Sequence, residues 1–127
     1  MRKTKARVLV VEDEPTQREL LGKILKAEGY DAFTAADGHD ALTMLETVKA
    51  GVILSDLKMP RIDGLQLLSR VREKYPDTVF IVITAHPSHE TRAEALKRGA
   101  RVYLAKPVDI DELCREIAAA LERPSEQ

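Results

Sequence analysis

The stretch Val52-Ile53-Leu54-Ser55-Asp56-Leu57-Lys58-Met59-Pro60 decides the fold. Its apolar start is short and β-branched, as in a strand covered on both faces, and it breaks off at a carboxylate. Working outward, comparable runs stand at Val8-Leu9-Val10-Val11, Val79-Phe80-Ile81-Val82-Ile83 and Val102-Tyr103-Leu104, and residues 31–34 form a weaker one. Between them apolar residues recur at helical spacing: Leu20, Leu21, Ile24 and Leu25; Ala41, Leu42, Leu45 and Val48; Leu65, Leu68 and Val71; Ala93 and Leu96; Leu113, Ile117 and Leu121. Pro15 suits a first helical turn, and Asp37 and Asp109 suit N-caps, the latter with Glu112 three residues on. Gly29, Gly51 and Gly99 stand where helices are expected to stop. Strand and helix thus alternate five times. Such repeats need right-handed crossovers and a parallel sheet, so the expected class is α/β, a three-layer sandwich.

The chain has 127 residues, 44% of them hydrophobic, which suits one compact domain with its own core. Residues 1–123 are expected to form it, with 124–127 a C-terminal tail or the start of a linker. Charged residues are 32% of the chain and cancel to a net charge of -1, so no bulk attraction to nucleic acid or an anionic membrane is expected. No apolar run approaches the roughly 20 residues that span a bilayer, and the basic start Met1-Arg2-Lys3-Thr4-Lys5 leads into a strand instead of a signal-peptide core. The single cysteine, Cys114, has no partner for an internal disulfide and reads as a small helix-packing residue. The expected location is the cytoplasm.

The polar residues that follow the apolar runs carry the chemistry. Glu12 and Asp13 follow the first run, Asp56 the third, Thr84 the fourth and Lys106 the fifth. In a parallel sheet these carboxyl ends share one edge, where open α/β sheets bind ligands. Three carboxylates there repel one another unless a cation lies between them, and Mg²⁺ prefers a few carboxylates, waters and a substrate phosphate. Lys106 then offers a point charge to phosphate oxygens and Thr84 a hydroxyl donor. Together they make a phosphoryl-transfer site with Asp56 as the nucleophile, since a carboxylate can form an acyl phosphate.

Val10-Val11-Glu12-Asp13-Glu14, Leu54-Ser55-Asp56-Leu57-Lys58-Met59-Pro60 with Asp63-Gly64, Ile83-Thr84-Ala85, and Tyr103-Leu104-Ala105-Lys106-Pro107 resemble, in order, the receiver domain of two-component response regulators. The likeness covers residues 5–121. It implies a flavodoxin-like, doubly wound sheet in order 2-1-3-4-5 with five flanking helices. It also implies Asp56 as phosphoacceptor and Mg²⁺ held by Asp13 and Asp56 directly, by the Lys58 backbone carbonyl, and by Glu12 chiefly through water. Lys106 would contact the phosphoryl group, Thr84 would turn toward it, Tyr103 would change rotamer in concert, and the Lys106-Pro107 peptide would be cis. The implied partner is a sensor histidine kinase or phosphotransfer protein. Output would pass to an attached or separate transcriptional domain, or to a homodimer, through the face of the fourth helix, fifth strand and fifth helix. Asp56-Leu57-Lys58-Met59-Pro60 and Gly99-Ala100 are similar to receivers joined to transcription-activating ATPase or DNA-binding domains.

Other readings fit less well. A haloacid-dehalogenase-type hydrolase needs a second acid two residues after its nucleophile, and Lys58 stands there. A docking module without phosphoryl chemistry would lack one of the acids or the lysine, and none is missing. His86 reads as a solvated loop histidine, and Met59 and Pro60 as residues that shape the loop beside Asp56.

Overall fold

The structure, a computed structural model, describes residues 6–122. Five strands, β1 (Arg7–Val11), β2 (Asp31–Ala35), β3 (Val52–Ser55), β4 (Val79–Thr84) and β5 (Val102–Ala105), alternate with five helices, α1 (Pro15–Ala27), α2 (Gly38–Leu45), α3 (Gly64–Lys74), α4 (His89–Lys97) and α5 (Ile110–Glu122). All neighbouring strands pair in parallel, in the order β2-β1-β3-β4-β5. Fold class and strand order are those expected from the sequence. The expected tail at 124–127 lies outside the described residues.

Strand pleating explains the unbroken apolar runs. Leu9, Val11, Ile53, Phe80 and Val82 point into a core completed by Ala41, Leu45, Leu67, Leu68, Val71 and Ala95 of α2, α3 and α4. Their alternates Val8, Val10, Val52, Leu54, Ile81 and Ile83 point into a second core under Leu21, Leu25, Leu113 and Ile117 of α1 and α5. Both faces of the three central strands are therefore apolar. The edge strands β2 and β5 mix buried and exposed positions, which is why residues 31–34 read weakly as a strand. Phe80 is completely buried, and its truncation to alanine is expected to cost about 3–5 kcal/mol.

The helix boundaries follow the expected chemistry with three corrections. Pro15 opens α1, Asp37 caps α2 through the Asp40 N–H, and Asp109 accepts from the Asp111 and Glu112 N–H groups ahead of α5. Gly29 (φ 99°) and Gly99 (φ 109°) end α1 and α4 in the left-handed conformation. Gly51, however, ends no helix. α2 stops at Leu45, so Val48 lies beyond it in a turn closed by Val48 N–H to Met44 O, and Gly51 instead precedes β3, its N–H donating to Arg7 O at 2.9 Å. Gly51 is also crowded, since a Cβ there would lie 2.9 Å from the Leu121 side chain. In α4 the buried contact is Ala95, while Ala93 and Leu96 face solvent, as Leu20 does in α1. The α1 cap is Glu14, whose carboxylate accepts the Gln17 N–H.

Candidate functional site

The carboxyl ends of β1, β3, β4 and β5 meet where the strand order reverses between β1 and β3, and each delivers a side chain. Glu12 continues β1 and is 1% exposed, so its carboxylate needs partners on the spot. Its Oε2 accepts the Glu14 N–H at 3.2 Å and its Oε1 accepts from Lys106 Nζ at 2.7 Å. Arg18 fastens the same segment from α1 by donating to Glu12 O at 2.9 Å.

Asp56 directly follows β3 and is also buried. Its Oδ1 accepts the Leu57 N–H at 2.7 Å and its Oδ2 accepts from Lys106 Nζ at 2.9 Å. Lys106 therefore bridges two carboxylates from two strands. Burial alone would lower the pKa of its ammonium, but the hydrogen bonds and charges of Glu12 and Asp56 prevail and hold it above the ordinary lysine value. The side chain stays protonated. The Lys106-Pro107 peptide that follows is cis, as expected.

Asp13 lies exposed beside this pair. Oxygen atoms of Glu12, Asp13 and Asp56 all lie within 4.8 Å of one another. Three carboxylates facing one ammonium leave a surplus of negative charge, and each oxygen retains lone pairs. This hard-oxygen set fits Mg²⁺ and offers nothing to a soft metal. Lys58 is exposed in the loop after Asp56, between the buried side chains of Leu57 and Met59.

Thr84 ends β4, and Tyr103 lies in the middle of the neighbouring β5. Thr84 is completely buried, and its Oγ1 accepts the His86 N–H at 3.0 Å. Tyr103 is buried against the α2–α3–α4 core, and its hydroxyl reaches the first turn of α4. There it accepts the Ser88 N–H at 3.2 Å and lies 2.6 Å from the Thr91 hydroxyl, while Ser88 itself caps α4 through the Thr91 N–H. The sequence pointed to Thr84 and Tyr103, but not to Ser88 and Thr91, for which serine and threonine flanking a helix start were the only signal. His86 is exposed, with its backbone and not its ring engaged with Thr84.

One further contact had no counterpart in the sequence reading. Arg61, in the loop between β3 and α3, pairs through Nη2 with Asp37 Oδ2. The Asp40 N–H first, and then the Arg61 guanidinium, hold the Asp37 carboxyl below its ordinary pKa.

Comparison with known proteins agrees with this geometry. The model of the response regulator receiver domain matches residues 8–118. The chain is 38% identical over 118 residues to the transcriptional regulatory protein GlrR of Escherichia coli strain K12, covering 93% of this chain and 27% of that one. It is 35% identical to the DNA-binding transcriptional regulator NtrC of Salmonella typhimurium, covering 94% and 26%. The chain thus spans about a quarter of the length of these relatives. Among solved structures, a CheY-like receiver domain protein from Methanospirillum hungatei JF-1 superposes with a TM-score of 0.92 at 28% identity, over 97% of this chain and 98% of that one. The beryllofluoride-activated NtrC4 receiver domain dimer does so at 0.88 with 38% identity, over 94% and 98%. Sequence, strand order and the convergence of strand-end groups agree: the chain belongs to the response regulator receiver domain family, whose members are phosphoacceptor switches of two-component signalling.

Proposed function

We propose that Asp56 accepts a phosphoryl group from a histidine kinase or phosphotransfer protein and that the change alters the α4–β5–α5 face. The observation that carries this reading is the Lys106 ammonium held between the buried carboxylates of Glu12 and Asp56, with Asp13 beside them. Asp13 and Asp56, the Lys58 carbonyl, and Glu12 through water would hold Mg²⁺, which when bound supplies positive charge to carboxylates and phosphoryl oxygens that would otherwise repel. An Asp56 oxygen attacks phosphorus as the bond to the donor imidazole nitrogen breaks, and the imidazole recovers a proton from solvent. Lys106, protonated beforehand, turns its charge to the new phosphoryl oxygens. Water later attacks the phosphorus of the same acyl phosphate and regenerates the carboxylate. The domain thus assists its own phosphorylation and dephosphorylation and acts on no separate substrate.

The switch passes through Thr84 and Tyr103. For its hydroxyl to donate to a phosphoryl oxygen, Thr84 leaves the His86 N–H, and Tyr103 adjusts at the start of α4. Pro87, Ser88, His89, Arg92, Tyr103 and Leu104 line one open cleft on this face, which supports its reading as the surface for an output domain or second copy. The relatives' names favour transcriptional output, and their greater length favours an attached domain, with residues 1–123 as receiver and 124–127 as a C-terminal tail or the start of a linker. No helix among the described residues is long and apolar enough to cross a membrane, and the family's signalling role supports the cytoplasm as the site of action.

Incubation with acetyl phosphate and Mg²⁺, followed by intact-mass measurement, tests the reading. One added phosphoryl group is expected, and none when the metal is chelated before the phosphodonor is added. No gain with Mg²⁺ present would favour a docking module.

A further inference from the structure

The loop between β3 and α3, residues 56–63, carries both Asp56 and Lys58 and is pinned at two points. At its far end the Gly64 N–H donates to Leu57 O at 2.7 Å, and a Cβ on Gly64 would lie 2.3 Å from Asp56 O. Backbone therefore rests directly on backbone, and only glycine fits. At its tip the loop lies on the start of α2. A Cβ on Gly38 would come within 2.9 Å of Ile62 O, and beside it the Arg61 guanidinium grips Asp37.

The Arg61 side chain is 66% exposed, but its partner is not. The Asp37 side chain is only 10% exposed, and its two oxygens are divided between the helix cap and the guanidinium. Arg61 also has φ 68°, a left-handed conformation disfavoured for a residue with a Cβ by about 1–2 kcal/mol. A residue held there is held by its surroundings. The segment between the two pins buries Leu57 and Met59 and leaves Lys58 turned to solvent.

We propose that the Asp37–Arg61 pair is a positioning element for the metal-binding edge, fixing the β3–α3 loop so that the Lys58 backbone carbonyl is presented to the cation. The inference rests on the reading of Glu12, Asp13 and Asp56 as a Mg²⁺ site. It assigns Asp37 and Arg61 no contact with the ion.

The sign of one effect separates positioning from plain electrostatics. Arg61 is a cation near a cation site, so its removal should tighten Mg²⁺ binding if only charge matters. If the pair positions the loop, Arg61→Ala weakens binding, on the order of tenfold, as loss of groups that orient metal ligands does. Arg61→Gly suits the left-handed backbone and folds without that strain, and it should weaken binding in the same direction. Asp37→Asn keeps an N-cap. Combined with Arg61→Ala, it should add little further loss, since the two residues act as one unit.

Isothermal titration with MgCl₂ measures the parent chain, both Arg61 variants, Asp37→Asn and the double variant, with Asp13→Asn as the reference for the site itself. Weaker binding in both Arg61 variants and a non-additive double variant are the expected results. Unchanged or tighter binding in Arg61→Ala and Arg61→Gly, with Asp13→Asn abolishing it, overturns the positioning role and leaves the metal site standing. Absence of Mg²⁺ binding by the parent chain, or its survival in Asp13→Asn, overturns both.

Discussion

The hydroxyl of Tyr103 lies 2.6 Å from that of Thr91, which ties the middle of β5 to the first turn of α4. Tyr103 also accepts the Ser88 N–H, one of the amides that the start of a helix leaves unpaired. Tyr103→Phe keeps the buried ring and loses both bonds. Stability should fall by about 0.5–1.5 kcal/mol per lost bond, read from urea unfolding, and amides of the first turn of α4 should exchange faster. Unchanged exchange there would show that Tyr103 does not hold the helix start.

In the proposed switch Thr84 would link the chemistry to that helix start, through the loop whose His86 N–H its hydroxyl accepts. Shifting a two-state equilibrium from 1:99 to 99:1 takes about 5.5 kcal/mol, whereas one hydrogen bond to a charged group supplies about 1.5–3 kcal/mol. Thr84 alone cannot complete the switch, and Lys106 and the loop contacts must contribute. Thr84→Ala should therefore leave Asp56 phosphorylation largely intact and weaken the response of the α4–β5–α5 face, followed by amide shifts on phosphorylation. A full set of shifts in the variant would remove Thr84 from the coupling.

Lys106 separates two roles of positive charge. Lys106→Ala leaves Glu12, Asp13 and Asp56 converging without an ammonium, so Mg²⁺ should bind more tightly and raise the melting temperature more than in the parent chain. Phosphorylation should nevertheless slow by about a hundredfold or more, the scale of losing one preorganised charge in a transition state. Equal rates with and without Lys106 would assign it to folding alone.

Asp37 gives a pH signature. Its folded pKa is depressed, by the Asp40 N–H and then by Arg61, so its contribution to stability is present above its unfolded pKa of about 3.9 and is lost as pH falls through the folded value. Asp37→Asn should be less stable than the parent near neutral pH, with the gap narrowing as pH drops below about 4. Thermal melts across that window check it, and a constant gap would show that the charge of Asp37 is not what matters.

The strands and the Asp56–Lys106 edge were legible because each is written locally. Val/Ile runs announce strands buried on both faces, and in a parallel sheet whatever follows them must share one edge. Position within a helix was less legible. Val48 continues the period of α2 but lies past its end, and Leu20, Ala93 and Leu96 keep helical spacing at exposed positions. The Asp37–Arg61 pair was not legible at all, because its members are 24 residues apart and Arg61 adopts a backbone conformation that nothing in its residue type suggests. The partners of Thr84 and Tyr103 were hidden for a similar reason, since a hydroxyl in a strand does not say which loop or helix start it will meet.

The most direct measurement concerns the identity of residue 56 after phosphotransfer. An acyl phosphate on aspartate is reduced by borohydride to homoserine, which remains in the chain and can be located by peptide mass spectrometry. After treatment with acetyl phosphate and Mg²⁺, homoserine is expected at position 56 alone and nowhere in Asp56→Asn. Homoserine at Asp13 or at another carboxylate, or an unaltered Asp56 in protein that has gained a phosphoryl group, would contradict the assignment of Asp56 as the phosphoacceptor.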